Sequence, residues 1–230
     1  MAPCVEEEII LMPVELSYLH VDESLLVIDK PSGLLAVPGR GEDKQDCALT
    51  RVQQRFPEAL VVHRLDQPTS GLMMLARNLE TQRRLSKALA ERQVHKVYHA
   101  VVAGHPTGVS GTVNLPLCCD WPNRPRQMVN LEHGKPSVTH WRALGAHPQI
   151  EDSICIELRP VTGRSHQLRV HMQALGHPIL GDGLYAPEEV QQQASRLLLH
   201  ATRLEVIHPR SGERLLIDSP TPFFDQTGLG

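Results

Sequence analysis

The stretch 60-LVVHRLDQPTSGLMMLA-76 decides the fold. Its ends, Leu60 to Arg64 and Leu72 to Ala76, read as strands, and Asp66 to Gly71 between them carries the residues of a loop. Pro68 and Gly71 brace that loop, while Thr69 and Ser70 can bond its backbone, which is how a carboxylate is held still at a sheet edge. An Asx-type turn in an ordinary hairpin would give the same local pattern. Upstream, Ser24 to Asp29 is a further strand, stopped by the turn Lys30-Pro31-Ser32-Gly33. Asp46 is expected to cap a helix that sets Leu49, Val52 and Phe56 on one face before Pro57 ends it.

Downstream, Asn78 caps a helix to about Gln93 with Leu79, Leu85 and Leu89 inward. Strands then dominate: Lys96 to Ala103, Val138 to Leu144, Ile154 to Leu158, Leu197 to Ile207 and Arg214 to Ile217. Two helices interrupt them, one from near Ser165 to Gly176 and one opening at Pro187. Strands that mostly follow one another, with few helices between, give an α+β fold built on a mixed, mainly antiparallel sheet flanked by helices. Neither G-x-G-x-x-G nor G-x-x-x-x-G-K-[ST] occurs, so a doubly wound nucleotide-binding reading has no support.

The 230 residues divide into an acidic extension at 1–16, one folded unit at 17–220 with no separate module expected beside it, and a frayed tail at 221–230. Five scattered cysteines form no C-x-x-C pair, which excludes a disulfide framework and a zinc knuckle and fits the cytoplasm. Glu6, Glu7 and Glu8 stand where a secretory signal needs positive charge, and no apolar run reaches the roughly 18 residues of a membrane span.

The net charge of −3 argues at first against a nucleic-acid partner. Its distribution changes that reading, while a soluble enzyme with solvated charges would give the same balance. Seven of the 26 acids lie in the first 29 residues, which hold no Lys or Arg, so 23 cations face 19 acids over the rest of the chain. Eighteen of those cations are Arg, the one suited to phosphate forks and base stacking.

Several residues carry chemistry. Arg164, in Gly163-Arg164-Ser165-His166-Gln167-Leu168-Arg169, sits beside a helix start and can fork with a carboxylate or a phosphate. Placed beside Asp66 it would keep the acid ionised. His166 and His171 are about 500° apart around a helix, 140° after a full turn, so they do not share a metal. His95 and His99, about 13 Å apart on a strand, do not either. Tyr98 is either a core aromatic or a ring beneath a flipped base. Cys118 to Arg126 combines Trp121, Arg124 and Arg126 with rigid prolines, the composition of an RNA-contacting loop.

Taken together, Lys30 to Gly33, His63 to Gly71, Lys96-Val97-Tyr98 and Thr162 to His171 resemble, in order and spacing, the RluA-type pseudouridine synthases. The likeness runs from about residue 18 to 218. Within that family, Trp121 to Gln127 and Leu197 to His200 resemble the members that act on both a large-subunit rRNA hairpin and a tRNA anticodon loop. The resemblance implies a pseudouridine synthase fold and an isomerase that converts uridines in structured RNA by base flipping, as a monomer without cofactor or metal. Residue by residue it implies Asp66 as the catalytic aspartate, Arg164 as its ion-pair partner, Tyr98 as the ring against the target base and Leu168 as a pocket wall. Arg64 would enter the RNA stack in place of the uridine, and His63, Arg169, Arg124 and Arg126 are further expected RNA contacts.

The chemistry is compatible. Pseudouridine formation breaks the bond from the anomeric carbon to a ring nitrogen, turns the uracil and rejoins it through carbon five. One ionised carboxylate suffices, as nucleophile at the sugar or as base toward the 2′ hydrogen. A hydrolytic glycosidase needs two carboxyl groups and a water, yet between residues 59 and 119 the only acids are Asp66, Glu80 and Glu91. The rival from another class is a non-catalytic RNA-binding protein that keeps the fold.

Overall fold

A computed structural model describes residues 15–224. Its centre is strand β4 (Ser70–Ala76), buried along its whole length. On one side runs β2 (Leu25–Lys30), antiparallel, from Leu25↔Ala76 to Lys30↔Gly71. On the other lies β11 (Leu199–Ile207), which β4 meets in parallel through His200↔Ser70 and Ala201↔Gly71. Two backbones approach closely there. A Cβ on Gly71 would stand 2.4 Å from Ala201 O, and its φ of +109° is one that side-chain-bearing residues rarely adopt.

The remaining strands extend this frame: β1 (Ser17–Val21), β3 (Leu60–Val61), β5 (His95–Ala103), β6 (Ser110–Asn114), β9 (Val138–Ala146), β10 (Ser153–Pro160) and β12 (Arg214–Asp218). The sheet has ten strands in the order β1-β2-β4-β11-β5-β10-β9-β6, with β12 on β11 and β3 on β4. Every pairing but β4 with β11 is antiparallel. β7 (Leu117–Cys119) and β8 (Gln127–Val129) form a separate two-stranded hairpin. The α+β expectation therefore holds, and β1, β6 and this hairpin add strands that the sequence reading did not contain.

Helix α2 (Leu79–Ala90) starts where expected, with Asn78 Oδ1 accepting from Thr81 N at 2.8 Å. Helix α1 (Ala48–Arg55) does not begin on Asp46. Both carboxylate oxygens of Asp46 are held by the Arg51 fork at 2.7 Å, and Cys47 caps the helix instead in a reciprocal box with Thr50. Helix α3 (Gln167–Ala174) starts two residues later than Ser165, because His166 takes the left-handed conformation, φ +53°, and turns the chain into it. Pro187 precedes the short α4 (Glu188–Gln191). The strand expected to reach Arg64 stops at Val61, since the His63 ring folds inward to accept from Met74 N at 3.1 Å.

Leu25, Leu26, Val27, Ile28, Met73, Met74 and Leu75 are fully buried, each aliphatic side chain contributing about 1.5–3 kcal/mol. The acidic extension lies, save for Glu15 and Leu16, outside the described residues. At the other end the folded unit runs past Pro222: Phe224 stacks on His99 with centroids 4.8 Å apart, and His147 bonds Phe223 O. Phe223 and Phe224 are thus packed, where fraying was expected. No helix among the described residues is long and apolar enough to cross a membrane.

Candidate active site

Two loops make the seat of Asp66. Gly33 N donates to Gln67 O (2.9 Å), Gln67 Nε2 to Gly33 O (3.0 Å) and Ser32 Oγ to Pro68 O (2.7 Å). Lys30, fully buried, points its ammonium at the carbonyls of Pro31, Leu34 and Gln67 at 2.7–3.1 Å, one acceptor for each of its three protons. Burial draws its pKa down to about 7, with the charge of Asp66 the largest opposing influence. The turn at Lys30 to Gly33 thus exists to clamp the loop of Asp66.

Beneath that loop runs a directed chain of hydrogen bonds. Arg196 donates to Ser70 Oγ, which lies 2.9 Å from His200 Nδ1; His200 Nε2 lies 2.9 Å from Ser219 Oγ, which donates to Asp29. Burial pushes the His200 imidazole down to about 4, so it stays neutral, accepting at Nδ1 and donating at Nε2. A cation and an anion close the two ends, and every link is satisfied.

The carboxylate of Asp66 remains partly open, its side chain 26% exposed. Arg169 Nη1 stands 3.6 Å from Oδ2 and His166 Nε2 3.9 Å from Oδ1. Arg169 is itself buried, and its Nε and Nη2 make a fork to Asp182 at 2.8 and 2.7 Å. Tyr98 is buried on β5, with its phenol held above the usual range by burial first and by the charge of Asp66 second. Leu168, one position before Arg169, is buried in the same core.

Not every expected site residue lies in this constellation. Arg164 is exposed, its Nε bonds Pro136 O at 3.4 Å, and it forms no ion pair among the described residues. The cation that faces Asp66 is Arg169. Because α3 begins at Gln167, position 169 lies in its first turn and faces the core, whereas Arg164 precedes the turn and points out. Arg169, expected to contact RNA, is instead committed to two carboxylates and to the ring of Tyr185, 5.0 Å away. His63 is likewise turned inward and held neutral by burial, with Lys96 nearby, so its ring is not presented to a ligand. The Arg64 side chain is exposed, with no ion pair or hydrogen bond among the described residues.

His171 serves packing, as expected, bonding Thr139 Oγ1 and Leu115 O. At the tip of the β7–β8 hairpin Trp121 is 66% exposed, with the Arg124 guanidinium 4.3 Å over its ring, while Arg126 lies 5.5 Å over Tyr185. Asp182, Tyr185, His200 and Ser219 were not identified from sequence; the one cue was an acid in a Gly-Asp pair, Gly181-Asp182, among apolar residues that demand it be paired if buried.

Comparison with known proteins agrees with this geometry. The family described as RNA pseudouridylate synthase matches residues 24–174. The chain is 47% identical over 205 residues to the dual-specificity RNA pseudouridine synthase RluA of Escherichia coli K12, covering 89% of this chain and 93% of that one. It is 50% identical over 192 residues to the protein of that name from Vibrio vulnificus, covering 83% and 77%. Among solved structures, human RNA pseudouridylate synthase domain containing 1 superposes with a TM-score of 0.75 at 29% identity, over 91% of this chain and 84% of that one. An aspartate on a clamped loop, an arginine aimed at it, a buried tyrosine beside it and these likenesses across the chain lead to one conclusion: the protein belongs to the RNA pseudouridylate synthase family and is an RNA pseudouridine synthase.

Proposed function

We propose that this enzyme isomerises uridines in a large-subunit rRNA hairpin and in a tRNA anticodon stem-loop, as a cytoplasmic monomer, with Asp66 as the catalytic carboxylate. The observation that carries the reading is the Asp66–Arg169 pair on a loop clamped by Lys30 and floored by Ser70 and His200. The dual specificity named for the bacterial relatives supports the two targets. The four described cysteines are free, which supports a reducing compartment.

Asp66 serves as an anion, at the anomeric carbon or at the 2′ hydrogen. Arg169, 3.6 Å from Oδ2, aims it. The bond from C1′ to N1 breaks, the uracil turns against Tyr98 and Leu168, and a bond from C1′ to C5 forms; C5 gives up its proton and N1 gains one. No atom is added. Hydrolysis would require a second carboxyl group and a water. Asp182 cannot serve, because it is fully enclosed and held by Arg169 and by the amides of Leu184 and Tyr185. Incubation with the two RNAs followed by nucleoside analysis tests the reading. Pseudouridine without free uracil is expected; free uracil would make the protein a glycosidase, and no change in either RNA would favour a non-catalytic binder.

The ring of Tyr98 is its working part in this reading. Tyr98→Phe should retain most of the turnover, whereas Tyr98→Ala should lose about 100-fold through misplacement of the base. A Phe variant as slow as the Ala one would move the role to the hydroxyl.

Arg64, exposed and unpaired two residues from Asp66, fills the gap left by the flipped uridine. Flipping from a folded loop costs a few kcal/mol, which a stacked guanidinium partly offsets. Arg64→Ala should therefore slow turnover of a structured stem-loop about tenfold more than that of an unstructured oligonucleotide at fixed salt. Equal penalties on the two RNAs would reduce Arg64 to an electrostatic contact.

A further inference from the structure

Tyr185 belongs to no residue set that the reaction itself calls for, yet it touches both Arg169 and His166, which flank Asp66. It is 3% exposed, between α3 and the root of the β7–β8 hairpin. Its hydroxyl accepts from Gln127 N at 2.8 Å, at the first residue of β8, and lies 2.6 Å from His166 Nδ1. Its ring carries Arg169 at 5.0 Å on the side of the site and Arg126 at 5.5 Å on the side of the hairpin. Its backbone N donates to Asp182 Oδ1, the oxygen that also takes Arg169 Nη2. Arg169 and His166, both within 4 Å of the Asp66 carboxylate, therefore contact this one tyrosine.

The hydrogen count gives the chain a direction. The Tyr185 oxygen takes the Gln127 N–H, so its own proton goes to His166 Nδ1, and the remaining imidazole proton sits on Nε2, facing Asp66 Oδ1 at 3.9 Å. Burial keeps this imidazole neutral. The hairpin, meanwhile, is not part of the ten-stranded sheet. Leu117 and Val129 pack on Val170 and Tyr185, and the tip from Trp121 to Pro125 stands in solvent. A load placed on the tip reaches the site through Gln127 and Arg126, and both end on Tyr185.

We propose that Tyr185 is a positioning residue that couples occupation of the β7–β8 hairpin by RNA to the alignment of Arg169 and His166 on Asp66. The enzyme then reaches its full rate only on RNA that engages the hairpin. This rests on the reading of Asp66 as the reacting carboxylate and of the hairpin as an RNA contact.

The experiment measures RNA affinity and single-turnover pseudouridine formation at saturating enzyme, on a stem-loop RNA, for the unaltered protein, Tyr185→Phe, Trp121→Ala and the double variant. Tyr185→Phe keeps the ring over both arginines and loses only the hydroxyl. Its saturated rate should fall about tenfold with affinity changed less than about twofold, and the double variant should be no slower than the slower single one, because both cut the same connection. A saturated rate within twofold of the unaltered protein, rate penalties that multiply in the double variant, or a loss of affinity equal to the loss of rate would each overturn the coupling. His166→Asn, which tolerates the left-handed backbone and removes the imidazole, is the second variant should Tyr185→Phe not fold; it carries the same expected split between rate and affinity. Asp66→Asn runs alongside: an active Asp66→Asn protein sinks the underlying site reading, whereas an inactive one with a fast Tyr185→Phe protein sinks the coupling alone.

Discussion

Asp66→Asn is expected to lower the saturated rate of pseudouridine formation by at least about 1,000-fold, or roughly 4 kcal/mol of transition-state stabilisation, while RNA affinity stays within about twofold. The substitution removes a charge and leaves the shape. The backbone bonds that hold the loop, Thr69 N to Asp66 O and Gly33 N to Gln67 O, do not involve the carboxylate, so the loop keeps its place. The side chain is partly open and its contacts to Arg169 and His166 are 3.6 and 3.9 Å, too long for the loss to destabilise the fold much. A melting temperature near that of the unaltered protein, with binding retained and turnover gone, is the pattern that assigns the chemistry to Asp66. Equal losses of binding and turnover would contradict it.

Replacing Arg169 should have the second large effect, and on stability as well as on rate. Arg169→Met leaves the fully buried Asp182 with two backbone donors and no cation, which costs about 3–5 kcal/mol and lowers the melting temperature by roughly 10 °C in a chain of this size. Turnover should fall in parallel, since Asp66 loses its orienting charge. Arg169→Lys cannot span both carboxylates, because a point charge does not reproduce a planar fork. Arg164→Ala is the contrast: an exposed side chain with one 3.4 Å contact should change stability by less than about 0.5 kcal/mol and the saturated rate by no more than a few fold. Thermal melts and single-turnover rates on the three variants decide between the arginines. A stable, active Arg169→Met protein beside a dead Arg164→Ala one would restore the sequence-based assignment.

The exchange of Arg164 for Arg169 marks the boundary of what a sequence discloses. The loop at Asp66 is legible because its determinants are local: Pro68, Gly71, Thr69 and Ser70 shape the backbone within a few residues. Asn78 is legible for the same reason, its side chain closing on Thr81 N three residues away. Strand β5 follows from its run of β-forming residues, and Tyr98 with it. Which arginine of the segment from Gly163 to Arg169 faces inward depends instead on the phase of α3, and that phase is set by the left-handed backbone of His166, a residue type with no strong preference for it. The capping of α1 turned on a similar contest, in which Arg51 claimed Asp46 and left the helix start to Cys47. Tyr185, His200 and Ser219 were hidden because their partners lie far along the chain. A Tyr among apolar residues and a His in Leu-Leu-Leu-His read as core until the fold brings Gln127, His166, Ser70 and Asp29 to them.

That distance has a consequence for the making of the protein. The Asp66 loop leaves the ribosome early, but its floor comes from His200, 130 positions after Ser70, and the far anchor of that floor joins Ser219 to Asp29 across 190 positions. At about 5–20 residues per second, tens of seconds at the slower rates separate synthesis of the motif from synthesis of its supports. An unfinished chain thus bears every residue from His63 to Gly71 without the frame that makes them an active site. Ser219, the residue directly after β12, is therefore the last link of that floor to be synthesised.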